Sequence, residues 1–200
     1  MKKLLLVLWL LVTTQASAVP PDKVAAYLQK TSVNVKSDRS QGSGSIILRK
    51  IDGDETAFVI TAAHVVDGLR TVNTIIDQNG RDKKVVSYRD ASVLQERIEN
   101  GQTVGEVRVS CRVVAVTYKN DIAILQVRWP GLYQEGIEFD ISGSIPTIGT
   151  SLFHCGSPGG QDIGFNSLTN GIMSATGRMI DMGTGARQYD QITCPSLPGS

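Results

Sequence analysis

Apolar and polar residues alternate along most of this chain with the period of two that is typical of β-strands. The clearest run is 107–117, in which every second residue from Val107 to Ala115 is apolar or a cysteine. Shorter strand-like runs cover residues 32–35, 45–51, 56–62, 121–127, 150–155, 166–175 and 187–193. Because these runs are short and follow one another through turn residues, they predict an all-β sandwich or barrel.

One short segment has helical spacing instead. Asp22 is a suitable N-cap, and Val24, Tyr27 and Leu28 fall on one face of a helix over residues 23–30. Turn signals separate the strands: Asp52-Gly53 predicts a tight hairpin, and Asn79-Gly80 and Asn100-Gly101 predict two further turns.

Three other segments have less regular patterns. Residues 81–106 carry many charges of both signs, which predicts a solvated hairpin face. Gly42 and Gly44 are interpreted as a turn or a bulge. Strand signals stop over residues 129–146, where turn residues cluster, so this stretch is predicted to connect two halves of the molecule.

The N-terminus has the layout of a signal peptide. Lys2-Lys3 precede an apolar stretch over residues 4–12, and Ala16-Ser17-Ala18 forms a small-residue cleavage site, so residues 1–18 are predicted to be removed. The apolar stretch is shorter than the roughly 20 residues that a spanning helix needs. We therefore expect an exported protein, periplasmic or secreted, without a stable membrane anchor and with a mature chain that starts at Val19.

Composition and net charge limit the kind of protein and the binding partners that are expected. The chain has 200 residues, of which 41% are hydrophobic and 20% charged, and this is typical of one globular domain with a core. Without Lys2 and Lys3, the 20 basic residues become 18, against 19 acidic residues, and the formal charge is −1. A near-neutral chain argues against nucleic acid or an anionic membrane as a partner.

The cysteines and the second histidine carry no evident chemistry. Cys111, Cys155 and Cys194 can form at most one internal disulfide, and Cys111 is predicted to be a buried thiol on its strand. His154-Cys155 could be considered as metal ligands or as a nucleophile pair. Since neighbours on a strand point to opposite faces, a structural role is favoured and no metal site is predicted.

His64 and Asp121 form the strongest chemical signal. His64 follows an apolar strand and two small residues in Thr61-Ala62-Ala63-His64, and Asp121 stands at the start of another apolar strand. A carboxylate that holds the Nδ1 proton of a histidine leaves Nε2 free to deprotonate a serine. The pair therefore predicts the base half of a Ser-His-Asp triad.

Three segments in order carry a family resemblance: Gly42-Ser43-Gly44-Ser45, Thr61-Ala62-Ala63-His64-Val65-Val66 and Asn120-Asp121-Ile122-Ala123-Ile124-Leu125. They resemble trypsin-like serine endopeptidases of the bacterial HtrA-related kind. Weaker echoes are residues 155–160 and 170–175. The resemblance implies two six-stranded antiparallel β-barrels, with His64 and Asp121 on the first barrel and the serine on the second.

The resemblance also implies where the other site residues lie. In such families a run like Pro198-Gly199-Ser200 precedes the nucleophile, so the reactive serine is expected immediately after Ser200. Ser200 itself is an alternative that requires a one-residue deletion in the motif. The backbone N–H of Gly199 would then belong to the oxyanion hole. The resulting domain prediction is a signal peptide over 1–18, the helix and first barrel over 19–128, a connector over 129–146 and a partial second barrel over 147–200.

The functional expectation is an exported serine endopeptidase that acts on peptide or protein substrates with no cofactor. The chain is expected to be truncated before the nucleophile, with an incomplete second barrel. A catalytically inactive pseudoprotease or binding module on the same fold is the alternative. An unrelated secreted β domain is a third possibility, and oligomeric state is left open.

Overall fold

Six antiparallel strands of the first half close into a barrel. The structure, a computed structural model, describes residues 21–99, 102–158, 165–181, 185–197 and 199. The barrel order is β1-β2-β3-β8-β7-β6. Its strands are β1 (Ser32–Lys36), β2 (Gln41–Ile51), β3 (Asp54–Thr61), β6 (Ala91–Glu99), β7 (Gln102–Thr117) and β8 (Ile122–Val127).

The remaining elements lie outside the barrel. Two strands, β4 (Arg70–Ile76) and β5 (Asp82–Tyr88), form a separate hairpin. Three more make a sheet in the order β11-β10-β9: β9 (Ser151–Gly156), β10 (Ser167–Asp181) and β11 (Ala186–Ile192). The helical elements are α1 (Pro21–Thr31), α2 (Ala63–Val66) and a 3₁₀ turn at Asp67–Leu69. The all-β prediction is confirmed, and within the described residues the second half contains three strands rather than six.

Alternate residues of the barrel strands fill its interior, as the period of two predicts. The buried core is formed mostly by valines, with larger aliphatic side chains at a few positions: Val33, Val35, Ile46, Val59, Val65, Val66, Leu69, Val93, Val109 and Leu125. Cys111 is fully buried among them, which agrees with its predicted place on the apolar face of β7. Burial of such β-branched side chains is the main stabilising term of the barrel.

Two predicted turns are confirmed. Asp52 and Gly53 both have positive φ, 53° and 94°, which is the geometry of a two-residue hairpin between Ile51 and Asp54. Gly80 also has a positive φ of 73°, in the turn between β4 and β5. The third predicted turn, Asn100-Gly101, lies outside the described residues.

Helix α1 joins the first half to the second. Its Tyr27 hydroxyl donates to the carbonyl of Gly136 at 2.8 Å, and the Asn166 amide donates to the carbonyl of Gln29 at 3.1 Å. Between Val127 and Ser151 the chain has no strand, and it runs along β2, where Ile137 N–H donates to Ile46 O at 2.7 Å. The proposed boundaries of the domains stay a prediction.

Two expectations were wrong. Residues 81–106 are not only a solvated hairpin, because Ala91, Val93 and Leu94 of β6 are buried. The flanking charges obscured this short apolar alternation. Gly42 and Gly44 are neither a turn nor a bulge. They lie in continuous register within β2, opposite Val35 and Val33 of β1.

Candidate active site

The side chain of His64 is exposed because the other residues of its short helix are buried. Strand β3 ends at Thr61 and the chain turns into α2, where Ala63, Val65 and Val66 are buried. These three apolar residues hold the short helix against the barrel, so the fourth residue, His64, faces outward. Its side chain is 68% exposed.

Asp121 is placed by the turn that precedes β8. Its N–H donates to the carbonyl of Tyr118 at 3.3 Å, and its φ is 53°. Asp is one of the few residues that tolerate this left-handed conformation. Strand β8 pairs with β3 so that Ala123 lies opposite Thr61, and this register carries Asp121 to the start of α2.

The structure brings His64 and Asp121 into direct contact through both carboxylate oxygens. Oδ2 of Asp121 lies 2.8 Å from Nδ1 of His64, and Oδ1 accepts the backbone N–H of His64 at 3.0 Å. Because Ala62, the N-cap of α2, offers no side-chain cap, Asp121 also satisfies a free N–H of this helix. Two-point attachment fixes the orientation of the carboxylate and the imidazole together.

The electrostatic balance at Asp121 favours its ionised form. Burial opposes ionisation, but the backbone N–H and the ring of His64, together with the N–H of Ala63, more than offset it and hold the pKa of Asp121 below its usual range. The carboxylate is therefore charged at neutral pH. A charged partner on Nδ1 stabilises an imidazolium that forms when Nε2 takes a proton.

A hydrogen-bonded network supports the turn that carries Asp121. The Tyr118 hydroxyl donates to Oδ1 of Asp67 at 2.9 Å and lies 3.1 Å from the Tyr88 hydroxyl. Burial, with Tyr88 and Asp67 beside it, raises the pKa of Tyr118, so the phenol stays neutral. Since Asp67 directly follows α2, the network ties the turn of Asp121 to the helix of His64.

Ser43 connects the barrel to Gly199, and sequence reasoning assigned it no role. Its N–H and its hydroxyl both donate to the carbonyl of Gly199, at 3.0 and 2.7 Å. Its Oγ accepts the N–H of Ser157 at 2.7 Å, and its own carbonyl accepts the Thr61 hydroxyl at 2.8 Å. The only signal in the sequence is the Gly42-Ser43-Gly44 motif, whose glycines predict a turn or a bulge.

Gly199 has a φ of 91°, a conformation that favours glycine. Its part in an oxyanion hole stays a prediction. Ser200 lies outside the described residues.

The remaining candidate groups do not join the dyad. His154 and Cys155 are neighbours on β9, where the Cys155 thiol donates to Oδ1 of Asn166 at 3.2 Å. All three cysteines are free thiols. Within the described part of the chain, no cluster of three or more His, Cys, Asp or Glu residues could hold a metal ion. In that same part, no helix has both the length and the apolar character to cross a membrane.

In this barrel a histidine that follows strand β3 contacts an aspartate that precedes strand β8. This is the arrangement of a serine peptidase of the trypsin-like class. Comparison with known families agrees: the profile of the trypsin-like peptidase domain matches residues 42–200. The chain belongs to this family.

The crystal structure of Deg5 shares the fold, with a TM-score of 0.57. It is 19% identical and covers 90% of this chain and 78% of Deg5. The match to the trypsin-like peptidase domain confirms the trypsin-like resemblance drawn from the three sequence segments, and the likeness to Deg5 shows a shared fold. A search of curated protein sequences finds no significant match.

Proposed function

We propose that this protein is an exported serine endopeptidase that hydrolyses peptide bonds through an acyl-enzyme. The 2.8 Å contact between Nδ1 of His64 and Oδ2 of Asp121 carries the proposal, because it leaves Nε2 as the free nitrogen of an exposed imidazole. The nucleophile is the serine expected immediately after Ser200. Export through residues 1–18 places the enzyme in the periplasm or outside the cell.

In the first half of the reaction, Nε2 of His64 takes the serine proton as the oxygen attacks the substrate carbonyl carbon. Asp121 keeps the ring in the required tautomer and stabilises the imidazolium. The imidazolium then gives its proton to the leaving amine, and the C–N bond breaks to leave an ester on the serine. His64 then takes a proton from a water molecule as the water oxygen attacks the ester carbon. The C–O bond to the serine breaks, and the imidazolium gives its proton to the serine oxygen.

The oxyanion of each tetrahedral intermediate is assigned to the N–H groups of Gly199 and of the nucleophile. A donor of this kind lowers the barrier by about 3 kcal/mol. The bonds from Ser43 to the carbonyl of Gly199 support this assignment, because they hold against the barrel the peptide unit that lies between the two donor N–H groups. A fixed donor needs no reorganisation during the reaction.

The test uses the protein at its natural length, with its coding DNA read past codon 200. A fluorophosphonate probe should label one serine, and peptide mapping should place the label directly after Ser200. The His64→Ala variant should lose labelling and hydrolysis of a casein substrate. The His154→Ala variant, which removes the chain's other histidine, is the matched control and should keep both.

Other outcomes have defined meanings. A label on Ser200 itself would move the nucleophile by one residue. A natural chain that carries the complete serine motif but is neither labelled nor active would contradict the proposal. The alternative, a catalytically inactive binding module on the same fold, would then be favoured. An exported protein whose intact mass does not fit a chain that starts at Val19 would contradict the signal-peptide assignment.

A further inference from the structure

A cavity of about 560 Å³ lies beside the dyad, between the two halves of the molecule. One wall is the turn that runs from Tyr118 to Asp121, and the other is the stretch of β11 from Arg187 to Tyr189. Asp121 belongs both to this wall and to the dyad. Because Asp121 also contacts Nδ1 of His64 at 2.8 Å, the cavity adjoins the dyad.

The cavity has an excess of positive charge. Lys119 and Arg187 line its opposite walls, while the charge of Asp121 is engaged by His64. Neither cation forms an ion pair with a carboxylate of the described residues. The nearest acidic neighbour of Arg187 along β11, Asp190, uses its carboxylate to accept the N–H of Gly177 at 2.9 Å.

The walls also offer aromatic surface. Tyr118 is 51% exposed and Tyr189 is 37% exposed, one on each wall. The Tyr118 hydroxyl is already used by Asp67 and Tyr88, so its ring is what remains for contact. Aromatic faces suit a short methylene stem, and a guanidinium opposite an ammonium suits a carboxylate at the end of that stem.

We propose that this cavity is a specificity site for an acidic side chain, glutamate above all, close to the bond that is cleaved. The inference rests on the proposed peptidase function and adds its substrate class. It assigns Lys119 and Arg187 as specificity-determining residues. Since Lys119 is exposed and Arg187 is partly exposed, their attraction for a carboxylate falls as ionic strength rises.

The experiment uses pairs of fluorogenic peptides that differ only by Glu or Gln, placed in turn at each position on both sides of the cleaved bond. At one position we expect a value of kcat/KM about tenfold higher for Glu at low salt, and a smaller ratio at 0.5 M NaCl. Lys119→Gln and Arg187→Gln should each lower the ratio. The double variant should bring the ratio to about one, because neither peptide then meets a cation in the cavity.

Two further variants sharpen the result. Lys50→Gln removes the same charge from the hairpin end of β2, outside the cavity, and should leave the Glu preference intact. Arg187→Glu should reverse the preference toward a Lys peptide. A loss of the ratio in Lys50→Gln equal to that in Lys119→Gln would mean that only net charge matters, and would overturn the assignment.

The design separates this inference from the proposed function. If peptides are cleaved but no position distinguishes Glu from Gln, the cavity assignment is wrong and the peptidase function stands. If no peptide is cleaved, the same labelled pairs are measured by fluorescence anisotropy with the wild-type protein. Tighter binding of a Glu peptide that depends on Arg187 supports the cavity without the activity, and equal binding of all peptides overturns it.

Discussion

Replacing Gly42 by alanine tests the packing that places His64. An ideal Cβ at this position lies 2.7 Å from Cγ2 of Val65, whereas carbon atoms normally approach to about 3.5–4.0 Å. Val65 is 2% exposed and directly follows His64 in α2. Its branched side chain has one strongly preferred rotamer in a helix, so the helix itself must shift.

The expected cost follows from this overlap. Overpacking of a buried site by one methyl group destabilises by about 1–3 kcal/mol. The Val65→Ala variant removes two methyl groups at about 0.8 kcal/mol each, and leaves a cavity besides, so about 2 kcal/mol is expected. In the double variant the new methyl group occupies the vacated space. Its destabilisation should be smaller than the sum of the two single changes by about 1–3 kcal/mol.

The measurement is urea unfolding of the natural-length protein followed by far-UV circular dichroism, with a double-mutant cycle on the transition midpoints. Gly105→Ala is the matched control, because a Cβ there meets nothing within 4 Å, and its effect should stay within about 0.5 kcal/mol. Gly42→Ala should also lower kcat by more than its unfolded fraction explains, since displacement of His64 by about 1 Å can cost about 100-fold. Additive effects of Gly42→Ala and Val65→Ala, or a Gly42→Ala variant as mild as Gly105→Ala, would refute this account.

Three further predictions concern the site and the core. Asp121→Asn should lower kcat by about 10⁴-fold. The pKa of Asp121 is lower in the folded protein than in the unfolded chain, so its ionised carboxylate stabilises the fold above about pH 4, and this stabilisation is lost as pH falls through the folded pKa. The difference in unfolding free energy between wild type and Asp121→Asn should therefore shrink at acidic pH. A difference that does not change with pH would contradict this prediction. Ser43→Ala should lower kcat about tenfold, whereas Ser43→Thr should retain activity, because only a hydroxyl can both donate to the carbonyl of Gly199 and accept the N–H of Ser157. Equal kcat values for Ser43→Ala and the wild-type protein would argue against this role of Ser43. Burial raises the pKa of Cys111 to about 12, so iodoacetamide at pH 8 should modify it only as the protein unfolds, and mass spectrometry that found it alkylated as fast as a cysteine peptide would exclude this burial.

The sequence by itself determined most strands of the barrel and of the second sheet, and it pointed to the two residues of the dyad. Alternation in runs such as 107–117 depends only on neighbouring residues, and it places side chains on one face whatever the rest of the chain does. His64 and Asp121 could be found for the same reason, because each follows or precedes an apolar strand within a short motif. The ends of the strands were less certain, and β6 was missed as a core strand because charges surround its short apolar segment.

The tertiary structure alone decided which distant residues meet. Ser43 and Gly199 are 156 residues apart, and no local pattern relates them. The need for glycine at position 42 arises only when α2 packs across β2, and the charged cavity exists only where a barrel turn faces β11. Such contacts depend on the register of the strands and on closure of the barrel. Strand register and barrel closure result from many weak packing contacts and hydrogen bonds spread over the whole fold, so no single segment of the sequence specifies them.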